Sequence, residues 1–517
     1  MLLNWVCSFS GDVAVGCTAV DVAVGCTAVD FHFLSNADVS LVSKPWLRLY
    51  SELLETVIRR LPPGCIFSPS NADVSLVSKR WLRLYRSSRS VLYLRLSPDN
   101  CIPSSFLSHF PHLYILNIII HPSENASDFA DQILLSVASS CPKLTTLCLR
   151  GQPVSLSSLL SLSTSCPSLA VLVIGLSRPV SFHWLLSFHS LRNLTVCLSP
   201  PLSPSEFKPL DDEAKYSDAE LQIEVLLLRG IKRGDYGFDW LWRSCKNLKK
   251  LDLWRCQGIG ADTSVSSFAN CIKGLQEVQL RSCASVVNDI LSRLVENCTS
   301  LKSLLIQISK NSRGGGSREG LLQFFTHSRC NLRKLDLYLC LDLENNHLLV
   351  MADKFRGLSS LRLNSCLNIT GEGLKTMVLA MSNELEELAL INYNMEPGLL
   401  TALGQRFQNL KKLDLSFSGG MLGDEEFISM LESCNCLWDL KVRGCTGLTY
   451  ASVISMFKSC KQLVSVDIVQ CPGIEPEAVE LFVLNCMRLR QIHVEDSKLS
   501  DVSRSWASKK FVRLFFD

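Results

Sequence analysis

The chain has 517 residues, with 52 Lys and Arg against 49 Asp and Glu, a formal net charge of +3. So even a balance excludes a protein built mainly to grip nucleic acid, which needs a basic face. A composition of 47% hydrophobic and 20% charged residues excludes wholesale disorder. The 23 cysteines are an odd number in a long chain, a poor start for the disulfide framework of short secreted domains.

At the N-terminus, MLLNWVCSFSGDVAVGC carries no Lys or Arg ahead of its apolar residues, and Asp12 and Asp21 interrupt it, so no secretory leader is expected. The longest apolar run, Leu113 to Ile120, is broken by Asn117 and is too short to cross a bilayer. The expectation is a soluble intracellular chain of the nucleus, the cytoplasm or both. DVAVGCTAV occurs at 12–20 and again at 21–29, and residues 35–50 nearly duplicate residues 70–85, with Pro45 in place of Arg80. A proline inside a helix costs about 3 kcal/mol. The first copy is therefore not expected to form the helix of the second, and residues 1–50 read as a duplicated or mis-assembled segment without stable order.

Residues 51–96 form a different unit. Leu53, Leu54, Val57, Ile58 and Leu61 fall on one helical face, Ser51 can cap the start, and Pro62, Pro63 and Gly64 stop it. A second helix is expected from Asp73 to Tyr85, with Val74, Val77, Trp81 and Leu84 on one side and Lys79 and Arg80 beside the Trp. Short helices in so few residues cannot close a core alone. They must pack on the neighbouring repeats, on a partner, or on both.

From 97 to 497 a repeat takes over. Leu-x-x-Leu-x-Leu recurs, often with Cys three residues before it and Cys eight residues after its first Leu, as in Cys245, Leu248, Leu251, Leu253 and Cys256. Fifteen markers run Leu113, Leu144, Leu169, Leu191, Ile223, Leu248, Leu275, Leu301, Leu332, Leu358, Leu385, Leu410, Leu437, Leu463 and Leu489, at spacings of 22 to 32 and mostly 25 to 27. That period and pattern fit a leucine-rich repeat. The Leu-x-Leu step has the two-residue period of a strand. The second half of each repeat is helical in pattern, as in Ile369, Leu374, Met377 and Val378. A single repeat cannot bury its own apolar face, so repeats must stack. The fold class is α/β, a right-handed leucine-rich repeat solenoid of horseshoe form with a small helical unit before it, and residues 498–517 cap its end.

Fifteen of the 23 cysteines lie at or within one residue of the two repeat positions. Small apolar thiols buried as spacers explain that regularity better than disulfides or zinc. Two connections are long: the Pro- and acid-rich stretch before Ile223 and the Gly- and Ser-rich SKNSRGGGSREG before Leu332. They read as solvated loops, with a flap over the strand face as the sharper alternative.

No HExxH, GxSxG or GxxxxGK[ST] motif occurs, and the nine His are scattered. No catalytic residue, metal site or cofactor is expected. The outward strand positions offer a binding face instead. Trp254, Arg281, Tyr338, Asn364 and Arg443 are equivalent positions of different repeats, and Asp252, Arg255, Asp336, Arg362, Asp414, Lys441 and Asp467 lie beside them. Trp, Tyr and Arg are the usual anchors of protein interfaces. The expected substrate-binding set is Asp252, Trp254, Arg255, Arg281, Asp336, Tyr338, Arg362, Asn364, Lys441 and Arg443.

Leu53 and Leu54, Leu61 and Pro62, and the run Ser75-Leu76-Val77-Ser78-Lys79-Arg80-Trp81 resemble an F-box. An F-box ahead of Cys-containing leucine-rich repeats resembles the plant-type F-box/LRR family, substrate receptors of SCF (Skp–cullin–F-box) ubiquitin ligases. The chain departs from the family pattern in reading Leu49-Tyr50-Ser51 where Leu-Pro is usual. The resemblance implies that residues 51–96 are an F-box docking a Skp-type adaptor, and through it a cullin. The surface would use Leu53, Leu54, Val57, Ile58, Leu61, Pro62, Val74, Leu76, Val77, Lys79, Arg80 and Trp81. It also implies a target protein held on the repeats and delivered for degradation; the charge balance and the short apolar runs add the expectation of no nucleic acid and no membrane as partner. The alternative is a repeat scaffold or hormone-type receptor without a ligase link; the two long connections leave room for a small ligand, and nothing specifies one.

Overall fold

A computed structural model describes residue 83 and residues 86–98, 105–121, 128–199, 219–308, 318–419 and 422–516. The chain divides into two compact units: Met1–Asn247 with Gly260–Ser264, and Leu248–Ile259 with Val265–Asp517.

In the first unit β1 (Val91–Leu96), β2 (Ile115–Ile120), β3 (Thr146–Pro153), β4 (Val171–Leu176), β5 (Asn193–Leu198) and β6 (Val225–Arg229) pair in chain order, all parallel. The returns between them carry α1 (Phe129–Ser140) and α2 (Leu156–Ser165), with 3-10 turns at Leu107–His109 and His183–Ser187 in the helix place of two repeats, and α3 (Phe238–Ser244) follows β6. The second unit has β7 (Lys250–Trp254), β8 (Glu277–Arg281), β9 (Ser303–Gln307), β10 (Lys334–Tyr338), β11 (Ser360–Asn364), β12 (Glu387–Ile391), β13 (Lys412–Asp414), β14 (Asp439–Lys441), β15 (Ser465–Asp467), β16 (Gln491–His493) and β17 (Arg513–Phe515). These too are parallel and paired in order. Its helices are α4 (Ser264–Cys271), α5 (Val287–Asn297), α6 (Arg318–His327), α7 (Asn345–Lys354), α8 (Gly371–Ala380), α9 (Leu399–Arg406), α10 (Asp424–Ser433), α11 (Tyr450–Ser459), α12 (Pro476–Asn485) and α13 (Asp501–Lys509).

Each unit is a leucine-rich repeat solenoid. Every one of the fifteen markers stands two residues before a strand, from Leu113 ahead of Ile115 to Leu489 ahead of Gln491. Marker residue and inward strand residues form the core: Leu248, Leu251 and Leu253 are all but inaccessible, as are Leu358, Leu361 and Leu363. Two strands have no Leu or Ile at the marker position, where Arg89 and Phe511 stand instead. Val91–Leu96, which the sequence groups with the helical unit, is β1 and pairs residue for residue with β2. Arg513–Phe515, within the expected cap, is β17 and extends the pairing past β16.

The cysteines have two structural posts. Cys141, Cys166, Cys245, Cys298, Cys434, Cys460 and Cys486 are helix C-caps, each N–H closing the last turn of its helix. Cys283, Cys340, Cys366, Cys445 and Cys471 open the turn after a strand and point Sγ at a carbonyl of the preceding repeat, as in Cys283 to Leu253 at 3.2 Å and Cys471 to Val442 at 3.0 Å. The fifteen cysteines at repeat positions are the fifteen buried among the described residues; Cys148 and Cys197 are half-buried and Cys436 is exposed. Burial pushes the thiols of Cys141, Cys271, Cys434, Cys445 and Cys460 up to about 12.

A left-handed residue recurs in the second unit at the strand exit, seven places after the marker. Arg255, Ser282, Leu339, Ser365, Asn392, Phe417, Gly444 and Gln470 all have φ between 52 and 69°. There the peptide turns so that its N–H reaches the next repeat, as Arg255 to the Arg281 carbonyl at 2.8 Å and Asn392 to the Ser416 carbonyl at 2.9 Å. A helix-side link accompanies it. Asp424 at the start of α10 accepts from the backbone N–H of Thr449, the N-cap of α11, at 2.9 Å. Asn345 of α7 accepts from the N–H of Thr370, the N-cap of α8, at 3.1 Å.

Candidate functional site

Outward side chains on a strand stand two residues apart, and the parallel register aligns them in rows. One row of the second unit runs Trp254, Arg281, Gln307, Tyr338 and Asn364 across β7 to β11. The row beside it runs Asp252, Gln279, Leu305, Asp336 and Arg362. The predicted substrate-binding residues of β7 to β11 are therefore on one face, but β9 splits them with Leu305 and Gln307. Lys441 and Arg443 form a third group further along, at β14.

In the first group, Lys250 Nζ is 2.7 Å from Glu277 Oε1, and Gln279 Nε2 donates to the same oxygen at 2.5 Å. Arg281 donates to Gln279 Oε1 at 2.5 Å and to Asp252 Oδ2 at 3.0 Å. Asp252 is buried, and its Oδ1 has no hydrogen-bond partner among the described residues. Burial raises its pKa, and Glu277 adds to the rise against the opposing pull of Arg281 and Lys250. The guanidinium of Arg255 lies 5.9 Å from the centre of the Trp254 ring, on an exposed left-handed turn.

The second group centres on Arg362. Its Nε donates to Tyr338 Oη at 3.3 Å and its Nη1 to Glu387 Oε1 at 3.1 Å, while Nη2 is 3.7 Å from Asp414 Oδ2. Asp336 stands in the same row as Arg362; burial raises its pKa, Arg362 opposes the rise, and Glu387 adds to it. Asn364 accepts from Ser365 Oγ at 2.9 Å, and Asn392 Nδ2 donates to that hydroxyl at 2.9 Å. In the third group Arg443 Nε is 3.8 Å from Asp467 Oδ2, and Lys441 pairs in register with Asp467.

Arg281, Arg362 and Arg443 thus each rest against an acid one or two strands away. The arginine side chains are half-buried over more deeply buried acids, and these lateral ties hold them in place. What results is a set of fixed planar groups, Trp254, Arg281, Tyr338 and Arg362, with little rotamer freedom left to lose on binding. That suits a protein segment laid over the strands. Among the described residues no three His, Cys, Asp or Glu side chains come together at metal-binding geometry. Leu305, Gln307 and Ile391 share the face and escaped sequence reasoning, since nothing in their type marks a binding residue; only the repeat register identifies them.

The twelve predicted adaptor-docking positions, Leu53, Leu54, Val57, Ile58, Leu61, Pro62, Val74, Leu76, Val77, Lys79, Arg80 and Trp81, lie outside the described residues.

No family model matches the chain. Among solved structures the chain is similar to one from the crystal structure of the Rad7 and Elc1 complex in yeast. The two are 15% identical, the match covers 92% of this chain and 94% of that chain, and the TM-score is 0.44, a likeness too loose to bear on function.

Proposed function

We propose that the protein is the substrate-recognition subunit of an SCF-type ubiquitin ligase, working in the nucleus or cytoplasm. Two features support the reading. The first is the resemblance of residues 53–81 to an F-box ahead of Cys-containing repeats. The second, which carries the target-binding half, is the row of Trp254, Arg281, Gln307, Tyr338 and Asn364 fixed in register on the strand face.

On this reading the chain performs no chemistry. The helical unit holds a Skp-type adaptor and through it the cullin, while the strand face holds the target. The conjugating enzyme brought by the cullin transfers ubiquitin at the raised effective concentration that tethering gives. Aromatic and guanidinium anchors flanked by ion pairs fit a protein target with complementary polar groups.

Two separable lesions test it. In cells expressing the protein, Leu54→Asp removes the adaptor surface and Trp254→Ala with Arg281→Ala removes the target surface. Quantitative proteomics should show the same proteins accumulating in both. Disjoint sets, or no accumulation in either, contradict the reading.

A further inference from the structure

The strand face of the first unit has a different chemistry from that of the second. None of the outward positions on its six strands is Asp or Glu. Eight are large and apolar, led by Tyr93 and Ile119 at 36% and 40% exposure. Three are arginine: Arg95, Arg150 and Arg229. In the second unit, Arg281, Arg362 and Arg443 lean on acids of their own face; here no strand position is an acid.

The arginines are placed. Arg95, Ile119 and Arg150 pair in register across β1, β2 and β3, so an exposed isoleucine sits between two arginines whose backbones are about 10 Å apart. Beyond Arg150 the ladder shifts at Pro153, and the next members of the row are Gly175, Cys197 and Arg229. Gly175 adds no side chain, and a Cβ there would meet the Gln152 carbonyl oxygen at 3.0 Å. The gap leaves Cys197 within reach of two cations: burial raises its thiol pKa, while Arg229 and Arg150 both oppose the rise. Among the described residues the side chains of Arg95 and Arg150 meet no carboxylate.

An apolar sheet alone would suit any greasy surface. Two exposed arginines, Arg95 and Arg150, that meet no carboxylate among the described residues, on strands whose outward positions include no acid, select for negative charge. A polyanion such as nucleic acid would call for more cations and less Val, Ile and Leu. We propose that the strand face of the first unit docks an acidic, apolar segment of a partner protein. Its aliphatic side chains would settle on Val171, Val173, Val225 and Leu227 while its carboxylates meet Arg95 and Arg150. This surface is separate from the Trp254 row and does not depend on adaptor docking.

The test uses the full chain and dye-labelled decapeptides of alternating Leu and Glu, of alternating Leu and Lys, and a DNA decanucleotide, read by fluorescence anisotropy. The Leu–Glu peptide should bind saturably and more weakly as salt rises, and Arg95→Glu with Arg150→Glu should weaken it about tenfold. Both arginines are exposed, so the variant should keep the thermal unfolding of the parent, which circular dichroism checks. A second readout needs no variant. Bound peptide should slow maleimide labelling of the half-buried Cys148 and Cys197 and leave the exposed Cys436 unchanged, followed site by site by mass spectrometry. The proposal is overturned by absence of saturable binding, by equal binding of the Lys peptide or tighter binding of the DNA, by affinity unchanged in the double variant, or by equal protection of Cys436.

Discussion

Arg281 on β8 donates to Asp252 on β7 at 3.0 Å, with the aspartate side chain 4% exposed and the arginine 35%. The acid is therefore the buried anchor and the guanidinium its lid. Arg281→Ala leaves the carboxylate desolvated and unpaired and should lower stability by about 1–3 kcal/mol. Adding Asp252→Asn to that variant should recover much of the loss, a coupling that urea melts of the double-mutant cycle measure. Because burial first, and Glu277 next, hold the Asp252 pKa above the ordinary carboxylate value, the folded chain binds this proton more tightly than the unfolded one. The contribution of Asp252 is then greatest below the ordinary pKa and falls as pH rises through the raised value.

Asp424 has the opposite sign. Burial acts to raise its pKa, but the hydroxyls of Ser452 and Thr449 and the Thr449 N–H outweigh it, and the net shift is downward. Its link from α10 to α11 stabilises the fold above the ordinary aspartate pKa and is lost as pH falls through the depressed folded value. Asp424→Asn should flatten the acid limb of the stability curve in that window and leave the slope near neutral pH unchanged, as urea melts at stepped pH would show.

The cysteine ladder predicts a thiol pattern. Of the described cysteines, only Cys436, Cys148 and Cys197 should react with a thiol reagent on the folded chain, Cys436 fastest. The other fifteen should react only on unfolding, and the thermal midpoint should not depend on added reductant. Site-resolved labelling by mass spectrometry checks both.

The recurrent left-handed turn predicts a gain from glycine. Gln470 has φ 59° and is exposed, and a non-glycine residue in that region costs about 1–2 kcal/mol. Gln470→Gly should raise stability by about 0.5–1 kcal/mol, reduced by the entropy glycine brings to the unfolded chain. Gly444→Ala should lower it, because φ is 69° and a Cβ would come 2.6 Å from the Phe417 ring. Urea melts of the two variants should move in opposite directions.

The repeat was legible because leucine at the marker and two inward strand positions is forced by burial, so fifteen strands could be placed from Leu113 to Leu489. β1 and β17 were not, because Arg89 and Phe511 stand where the leucine marker would be. The turn at the strand exit left no signal either: Arg255, Ser282, Leu339, Phe417 and Gln470 are not turn formers, and only the peptide's bond to the next repeat holds them there. On the candidate face, charge and aromaticity pointed to Trp254, Arg281 and Tyr338. The intervening Leu305 and Gln307 needed the register. The arginine–apolar face of the first unit was hidden for the same reason, since Val171 or Ile119 looks like any strand residue until its direction is known.

The central claim is tested most directly by titrating the full chain with a purified Skp-type adaptor and reading complex formation by analytical ultracentrifugation, beside the Leu54→Asp, Trp81→Ala double variant. A saturable complex with the parent chain that is lost in the variant, while both unfold at the same temperature, is the result predicted. A folded parent chain that forms no complex, even after a Leu-Pro step is restored ahead of Ser51, would contradict the ligase assignment.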